Sequence, residues 1–247
     1  MAAVANPLRR RQGAVMDRTN QTRRSRQVVP SERTLDFRAV NHLAIAGWTG
    51  RDRTAVEQHI RELEALGVRR PKTVPVFYRV ASSSLTTAPA IEVMGDASSG
   101  EVEFVLFALD GGLRVGVGSD HTDRKAETIG VTLSKQMCSK SVGSRICRYD
   151  DVSRHWDRLM LRSFARNGNR RRLYQEGPVA AMRPPEELIR RYCSRRTLAP
   201  RPAMFCGTLA VPGGLSAADV FEMELEDPVL GRTLKHCYRI VSLPNAG

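Results

Sequence analysis

The segment EVEFVLFALDGGLRVGVGSDHTDRK, residues 101–125, contains two stretches of high β-propensity separated by a turn signal. The first stretch, residues 101–107, is dominated by valine, leucine and phenylalanine, and the second covers residues 113–117. The sequence Asp110-Gly111-Gly112 between them is typical of a tight hairpin. The segment therefore predicts two neighbouring antiparallel strands.

Two glutamates, Glu101 and Glu103, lie two residues apart on the first of these strands. Because side chains alternate between the faces of a strand, both carboxylates point to the same face. Two like charges this close repel each other and raise one pKa unless a cation lies between them. Such oxygen ligands suit Mg²⁺, Mn²⁺ or Ca²⁺ better than Zn²⁺. Taken alone, however, a Glu-x-Glu pair is more typical of the solvent face of a half-buried sheet.

Asp120 favours a metal site over a solvent-exposed face, because it follows the second strand. A hairpin that joins the two strands can bring Asp120 beside Glu101 and Glu103. Three carboxylates that converge at one end of a sheet form a site for a hard metal ion. The sequence therefore predicts a bound divalent cation, either Mg²⁺ or, alternatively, Mn²⁺ or Ca²⁺.

Outside this hairpin, the sequence predicts more strands than helices. The spacing of apolar residues predicts a helix over 54–66, and further helices are expected over 151–163 and 185–193. Residues 203–211 and 219–242 return to strand-like patterns. The predicted fold class is mixed α+β, mostly β, with short helices.

The N-terminal segment is basic and contains few large apolar residues. Residues 1–33 include eight arginines and two acidic residues, a net charge of +6 within the formal +13 of the chain. Such a segment cannot offset its own ordering entropy, so we predict a disordered basic tail, 1–33, and a single domain, 34–247. Because a basic tail binds phosphates without sequence preference, a non-specific nucleic-acid-binding protein is one alternative. We do not expect this partner, since aromatic residues make up only 6% of the chain and no recognition motif stands out.

The composition also bears on location. The longest apolar run, residues 104–109, is far shorter than the roughly 18 residues that a membrane-spanning helix needs. The five cysteines include no CxxC pair, which suits a reducing compartment better than a disulfide framework. The N-terminal segment lacks the apolar stretch of a secretory signal. We therefore expect a cytoplasmic protein without a membrane partner.

The Glu-x-Glu strand is part of a longer pattern that resembles the fumarylacetoacetate hydrolase-like superfamily. The central signature of that superfamily is a Glu-x-Glu strand, an Asp-x-Ser/Thr-x-Arg turn and a lysine. These features correspond to Glu101–Glu103, Asp120–Arg124 and Lys135. Further segments agree in type and order: His59–Glu62, Pro75–Arg79, Phe205–Thr208 and Gly231–Leu234.

The pattern of the whole chain is similar to one bacterial branch of the superfamily, the domain of unknown function 2848 family. The segments that carry this resemblance are Ser99–Glu103, Gly118–Arg124, Ser134–Gln136, His155–Asp157 and Tyr174–Gly177. The resemblance implies a fumarylacetoacetate hydrolase-like β-sandwich or β-roll with short helices. It also implies a homodimer, because members of the superfamily commonly dimerise.

The resemblance further implies a reaction and its residues. In the superfamily a 2-oxo acid or diketo acid chelates the metal, which implies a divalent-metal-dependent hydrolase or lyase here. Such an enzyme cleaves a C–C or C–O bond through a metal-stabilised enolate. The implied roles are metal binding for Glu101, Glu103 and Asp120, catalysis for His59, Glu62 and Lys135, and substrate binding for Arg79, Arg124 and Thr208. In this scheme His59 is the general base and Glu62 orients it.

Four features depart from the superfamily pattern. The loop between Glu103 and Asp120 is short, Lys125 stands where an acid is usual, Glu127 where glutamine is common, and Arg79 replaces lysine. These departures concern substrate recognition more than metal binding. A metal-binding member of the fold without activity is therefore the second alternative.

Overall fold

The structure of the chain is a computed structural model. It does not describe the side chains of His59 and Leu63. The described residues are 32–36, 40–65, 70–195, 198 and 201–246. The predicted tail, 1–33, lies outside them except for its last two residues. The division of the chain into a tail and a single domain thus stays a prediction.

The predicted hairpin is confirmed. Strand β7 spans Val102–Leu109 and strand β8 spans Gly112–Asp120, and the two strands pair antiparallel. The turn between them consists of residues 110 and 111, and Gly111 has a φ of +87°. Because glycine adopts positive φ without steric penalty, the turn residues predicted the hairpin correctly.

The hairpin lies inside a large mixed sheet. The other strands of this sheet are β1 (Arg33–Thr34), β2 (His42–Gly47), β3 (Val76–Val80), β4 (Leu85–Thr86), β10 (Lys140–Val142), β11 (Arg145–Arg148) and β14 (Pro202–Thr208). Their order is β1–β11–β8–β7–β14–β2–β3, and β10 pairs with both β8 and β4. The two central strands therefore have neighbours on both sides.

A second sheet packs against the first. Its strands are β5 (Ala90–Met94), β12 (Met160–Asn167), β13 (Arg170–Pro178), β15 (Val220–Asp227) and β16 (Arg232–Leu243). Their order is β13–β12–β15–β16–β5. A short antiparallel pair, β6 (Ser98–Ser99) with β9 (Thr122–Asp123), completes the strands of the described residues.

Strand β7 is buried on both faces. Phe104 and Leu106 join the main core, which also contains Phe221 of the second sheet. Val105 belongs to a smaller core on the opposite face of β7, the face that Glu103 shares by alternation. A strand covered on both sides is almost continuously apolar, as residues 104–109 are. A glutamate in this strand is therefore conspicuous, because Glu103 is 2% exposed.

The helices are short and lie around the sheets: α1 (Arg53–Ala65), α2 (Arg124–Ile129), α3 (Val131–Met137), α4 (Tyr149–Val152) and α5 (Pro185–Cys193). The helices predicted over 54–66 and 185–193 are confirmed by α1 and α5, although Leu66 lies outside the described residues. The described part of the chain contains no helix long and apolar enough to cross a membrane.

The helix predicted over 151–163 is wrong over most of its length. Helix α4 ends at Val152, a 3-10 segment covers 153–158, and β12 begins at Met160. Leu161 and Ala165 are fully buried on one face of β12. A short apolar run of this kind does not distinguish a helix from a strand, and the pairing of β12 with two neighbours decides for the strand. The predicted fold class, mixed α+β and mostly β, is nevertheless confirmed.

Candidate metal centre

Three carboxylates meet where β7 begins and β8 ends. Glu101 directly precedes β7, Glu103 lies within it, and Asp120 is the last residue of β8. The Asp120 amide donates a hydrogen bond to the Glu101 carbonyl oxygen at 3.0 Å. One oxygen of each carboxylate lies within 4.8 Å of the others. The hairpin therefore brings together the three residues that the sequence predicts to share a metal ion, named here the acidic triad.

A third strand holds Glu103. The Gly207 amide of β14 donates a hydrogen bond to Oε2 of Glu103 at 2.6 Å. Gly207 has a φ of +99°, and a Cβ atom there would lie 1.7 Å from Oγ1 of Thr49. Only glycine tolerates both the backbone angle and this close approach. The register of β14 against β7 also shifts between Phe205 and Thr208, which aims this amide at the triad.

Two lysines hold Asp120. Lys135 of α3 donates a short hydrogen bond from Nζ to Oδ2 of Asp120, and its Nζ lies 3.7 Å from Oε2 of Glu101. Lys140 of β10 is fully buried, and its Nζ lies 3.0 Å from Oδ1 of Asp120. The same ammonium group donates to the His121 carbonyl oxygen at 2.6 Å. Asp120 is thus held by two ammonium groups at once.

Glu101 is held by Arg124 at the start of α2, where Asp123 caps the helix by accepting from the Ala126 amide. Nη2 of Arg124 lies 3.0 Å from Oε1 of Glu101. Its Nη1 donates to Oε2 of Glu127 at 2.9 Å, and its Nε donates to Oγ of Ser99 at 2.8 Å. Arg124 therefore orients a metal-ligand candidate and is extensively bonded to the protein.

The two most deeply buried carboxylates have opposite pKa shifts. Burial raises the pKa of Glu103 well above its usual value, and the charge of Asp120 raises it further. Burial also acts to raise the pKa of Asp120, but Lys135 and Lys140 outweigh it and lower that pKa to about 2. Burial lowers the pKa of Lys135, but Asp120 and Glu101 outweigh this effect and raise it. Without a further cation, the site therefore favours the charged form of Asp120 and shifts Glu103 toward its protonated form.

The residues present fit a divalent metal ion. When all four carboxylates are ionised, the acidic triad and Glu127 carry four negative charges, and Lys135, Lys140 and Arg124 carry three positive ones. All donors of the triad are carboxylate oxygens, the ligands that Mg²⁺, Mn²⁺ and Ca²⁺ prefer. Within the described residues, Oδ1 of Asp120 is buried and accepts no well-aligned hydrogen bond, although Nζ of Lys140 lies 3.0 Å from it. A divalent cation would satisfy that oxygen and stabilise the charged form of Glu103.

A buried hydrogen-bond network lies next to the acidic triad and includes His121. His121 follows Asp120, and burial lowers its pKa to about 3. Its Nδ1 lies 3.0 Å from the Tyr238 hydroxyl and its Nε2 lies 2.9 Å from Oγ of Ser98. The Tyr238 hydroxyl donates to Oγ of Ser119 at 2.8 Å, and that oxygen accepts from the Glu101 amide at 3.2 Å. Because both ring nitrogens are engaged, His121 positions the backbone of the site.

The hydrogen bonds described for the other predicted site residues join groups outside the acidic triad, although Thr208 of β14 pairs with Glu103 across the sheet. Arg79 donates to the Leu43 carbonyl oxygen at 3.2 Å and interacts with Tyr192, on the face of β3 opposite Tyr78. Thr208 donates to the Val102 carbonyl oxygen at 2.8 Å, which ties β14 to β7. Glu62 is exposed on α1 and accepts from Nε2 of Gln58 at 3.0 Å. The side chain of His59 lies outside the described residues.

Two residues near the triad were not predicted from the sequence. Lys140 stands in the segment Cys-Ser-Lys-Ser, which contains no recognisable motif, and only the pairing of β10 with β8 brings it to Asp120. Tyr78 lies near the site, with Nζ of Lys135 5.9 Å from its ring centroid. A signal for Tyr78 did exist, because alternation along β3 puts Tyr78 and Arg79 on opposite faces.

The fold is that of fumarylacetoacetate hydrolase family proteins. The yeast protein ynq8, of that family, matches with a TM-score of 0.61 and 16% identity, over 85% of this chain and 96% of its own. A 2-keto-3-deoxy-D-arabinonate dehydratase complexed with magnesium and 2,5-dioxopentanoate matches with a TM-score of 0.59 and 18% identity, over 84% of this chain and 75% of its own. The protein Cg1458 matches with a TM-score of 0.59 and 14% identity, over 83% and 77%.

A sequence family can also be assigned. The model of the DUF2848 family, described as a protein of unknown function, matches residues 46–238. The chain belongs to this family, as its sequence pattern predicts. No curated protein sequence matches the chain significantly.

Proposed function

We propose that this protein is a divalent-metal-dependent hydrolase or lyase that acts on a small 2-oxo acid or diketo acid. The observation that carries the proposal is the convergence of Glu101, Glu103 and Asp120 to within 4.8 Å, with Lys135 among them. Carboxylates that are largely buried beside one another need cations, and Lys135, Lys140 and Arg124 supply three positive charges against the four negative charges that the acidic triad and Glu127 carry when all are ionised.

Each group has a role in this proposal. A bound Mg²⁺, Mn²⁺ or Ca²⁺ would supply Lewis-acid stabilisation of the negative charge that develops on the substrate when a C–C or C–O bond breaks. Lys135, fixed by Asp120, holds a positive charge beside the reacting oxygens. Arg124 keeps Glu101 in place. The remaining predicted roles, a general base at His59 with Glu62 and substrate binding by Arg79 and Thr208, are part of the proposal.

The comparison proteins support the choice of substrate class. The dehydratase neighbour carries magnesium together with 2,5-dioxopentanoate, which is itself a 2-oxo acid. A divalent cation would bring the net charge of the acidic triad, Glu127, Lys135, Lys140 and Arg124 from −1 to +1. This positive charge also favours an anionic ligand. Hydrolysis, decarboxylation and dehydration of such an acid all place negative charge at the same position, so the proposal covers this group of reactions.

The metal site can be tested by thermal unfolding of the purified protein with Mg²⁺, Mn²⁺ and Ca²⁺. We expect the wild type to gain about 2.7 kcal/mol at 100 times the Kd, a shift of a few degrees. The variant Glu101→Gln/Glu103→Gln should lose this gain. A matched control is Glu222→Gln/Glu224→Gln, a second Glu-x-Glu pair on β15 whose partners are Arg171 and Lys235.

The control variant should respond to metal as the wild type does. A wild type that shifts with none of the three ions, or a Glu101→Gln/Glu103→Gln variant that shifts as much as the wild type, would contradict the proposed site. The protein is then screened against a panel of 2-oxo and diketo acids to identify the substrate. The screen contains the metal ion that gives the largest shift in melting temperature.

A further inference from the structure

Loop 48–51 connects β2 to α1 and packs against the strand that orients Glu103. Thr49 of this loop is 3% exposed, and a Cβ atom on Gly207 would lie 1.7 Å from its Oγ1. The Thr49 side chain therefore lies directly against Gly207, whose amide donates to Oε2 of Glu103. Because protein interiors are close-packed, a shift of Thr49 changes the space available to this amide. The loop is thus placed to influence a metal-ligand candidate.

Backbone hydrogen bonds fasten the loop to the segment before α5. The Arg51 amide donates to the Ala181 carbonyl oxygen at 2.8 Å, and the Arg183 amide donates to the Thr49 carbonyl oxygen at 2.8 Å. Trp48, where the loop begins, has a φ of +59°, an uncommon conformation for a residue other than glycine. Such a conformation persists only where the surrounding contacts hold it. The conformation of the loop therefore depends on the contacts of its other end.

The side chain of Arg51 joins this end of the loop to a further segment. Its Nη1 and Nη2 donate to the two carboxylate oxygens of Asp157 at 2.9 and 2.8 Å, and its Nε donates to the Met182 carbonyl oxygen at 3.2 Å. Two parallel bonds to one carboxylate fix the plane of a guanidinium group as well as its position. Asp157 therefore determines where the Arg51 side chain lies.

The segment that carries Asp157 is itself fixed in the fold. Asp157 follows His155 and Trp156 in a 3-10 segment, and these three residues carry part of the resemblance to the DUF2848 family. Nε2 of His155 lies 3.0 Å from Oδ1 of Asp227 at the end of β15. The Trp156 ring packs edge-on against Phe104, with 4.9 Å between the ring centroids. Both contacts anchor the backbone from which Asp157 projects.

We propose that Asp157 is a positioning residue of the metal centre, which acts through Arg51 on loop 48–51 and thereby on the direction of the Glu103 carboxylate. The inference rests on the proposed function and deepens it, because it assigns a role to a residue outside the acidic triad. The side chains of Arg51 and Asp157 are 39% and 60% exposed. A pair this exposed contributes little to global stability, so its effect on the metal ligand can be separated from its effect on the fold.

The test measures the Mn²⁺ affinity of the full chain by electron paramagnetic resonance for Asp157→Asn, Arg51→Gln and the double variant. Groups that orient metal ligands change metal affinity by about 10-fold to 100-fold. We expect each single substitution to raise the Kd for Mn²⁺ about tenfold, with the melting temperature in chelator unchanged. The double variant should bind no more weakly than Arg51→Gln alone, since both side chains act through the same contact. Glu222→Gln breaks the exposed pair with Arg171 and is the matched control.

The two single substitutions also separate positioning from long-range charge. Asp157→Asn removes a negative charge and Arg51→Gln removes a positive one. A purely electrostatic influence on a bound cation would therefore weaken Mn²⁺ binding in the first variant and strengthen it in the second. Positioning weakens Mn²⁺ binding in both. Arg51→Lys keeps the charge but cannot form the two parallel bonds, and we expect it to weaken Mn²⁺ binding as well.

The outcomes distinguish this inference from the proposed function. A wild type that binds no Mn²⁺ overturns the proposed function and this inference with it. If the wild type binds Mn²⁺ and both single variants share its Kd, or shift it in opposite directions, the role of Asp157 alone is overturned. Additive effects in the double variant overturn the path through Arg51. Equal weakening in Glu222→Gln, or a lowered melting temperature with every loss of affinity, assigns the pair to the stability of the whole fold and also overturns the inference.

Discussion

The Gly207 amide donates to Oε2 of Glu103 at 2.6 Å, so a backbone group of β14 orients a carboxylate of β7. The two residues are far apart in the sequence and meet only because β14 pairs with β7 in the sheet. A charge-assisted bond of this type is stronger than a neutral one and fixes the direction of the carboxylate. The geometry of the acidic triad thus depends on a residue without a side chain.

Substitution of Gly207 should therefore damage both the fold and the site. Gly207→Ala introduces a Cβ 1.7 Å from Oγ1 of Thr49 at a φ of +99°, and we expect a loss of more than about 2 kcal/mol in the free energy of unfolding. Gly213→Ala is the matched control, because Gly213 has a φ of +81° but a Cβ added there would meet no atom within 4 Å. Urea unfolding measures both, and equal losses would contradict the steric argument.

Removal of Lys140 should destabilise the protein strongly. Lys140→Met leaves the buried Asp120 with Lys135 as its remaining ammonium partner and leaves the His121 carbonyl oxygen without its donor. Removing one partner of a buried ion pair lowers the free energy of unfolding by about 3 kcal/mol or more. The control Lys235→Met breaks the exposed pair with Glu224 and should change the free energy of unfolding by less than about 1 kcal/mol. If denaturant unfolding shows similar losses for the two variants, Lys140 is not held as described.

Glu103 should make the metal-free protein less stable as the pH rises. Its pKa is raised in the folded state, so above the usual glutamate pKa of about 4.3 the unfolded chain binds fewer protons than the folded one. Stability is therefore lost with increasing pH until Glu103 ionises in the folded state. Glu103→Gln removes this pH-dependent loss of stability. We therefore expect the variant to be more stable than the wild type at pH 8 in a chelator-containing buffer.

The same comparison at pH 4 supplies the control for Glu103. There the carboxyl group is largely protonated in both states, so the two proteins should differ little in their free energy of unfolding. Saturating Mn²⁺ at pH 8 should reverse the order, because the wild type gains a ligand for the ion. A variant that is less stable than the wild type in chelator at pH 8 would contradict the raised pKa.

The five free cysteines should differ widely in reactivity. Cys237 is exposed, whereas Cys147 and Cys206 are buried. Burial raises the pKa of Cys147 to about 11 and that of Cys206 well above its usual value, which lowers their thiolate fractions at neutral pH. Labelling of the native protein with a disulfide reagent should show a fast phase that Cys237→Ser removes. A fast phase that survives this substitution would contradict the burial pattern.

The acidic triad could be predicted because a single hairpin brings its three carboxylates together. Alternation puts Glu101 and Glu103 on one face, and a two-residue turn returns the chain so that Asp120 ends beside them. The helix predicted over 151–163 failed for the opposite reason. Its residues are apolar enough for either structure, and the pairing of β12 with β13 and β15 selects the strand.

The sequence by itself determined the hairpin, the clustering of its three carboxylates and the fold class, since side-chain periodicity and turn residues act over a few neighbours. Only the tertiary structure decided which groups surround the carboxylates. Lys140 reaches Asp120 through β10, Gly207 reaches Glu103 through β14, and Tyr78 faces the centre through β3. These contacts depend on strand order and register, which are set by the packing of the whole core, whereas local propensity does not encode them.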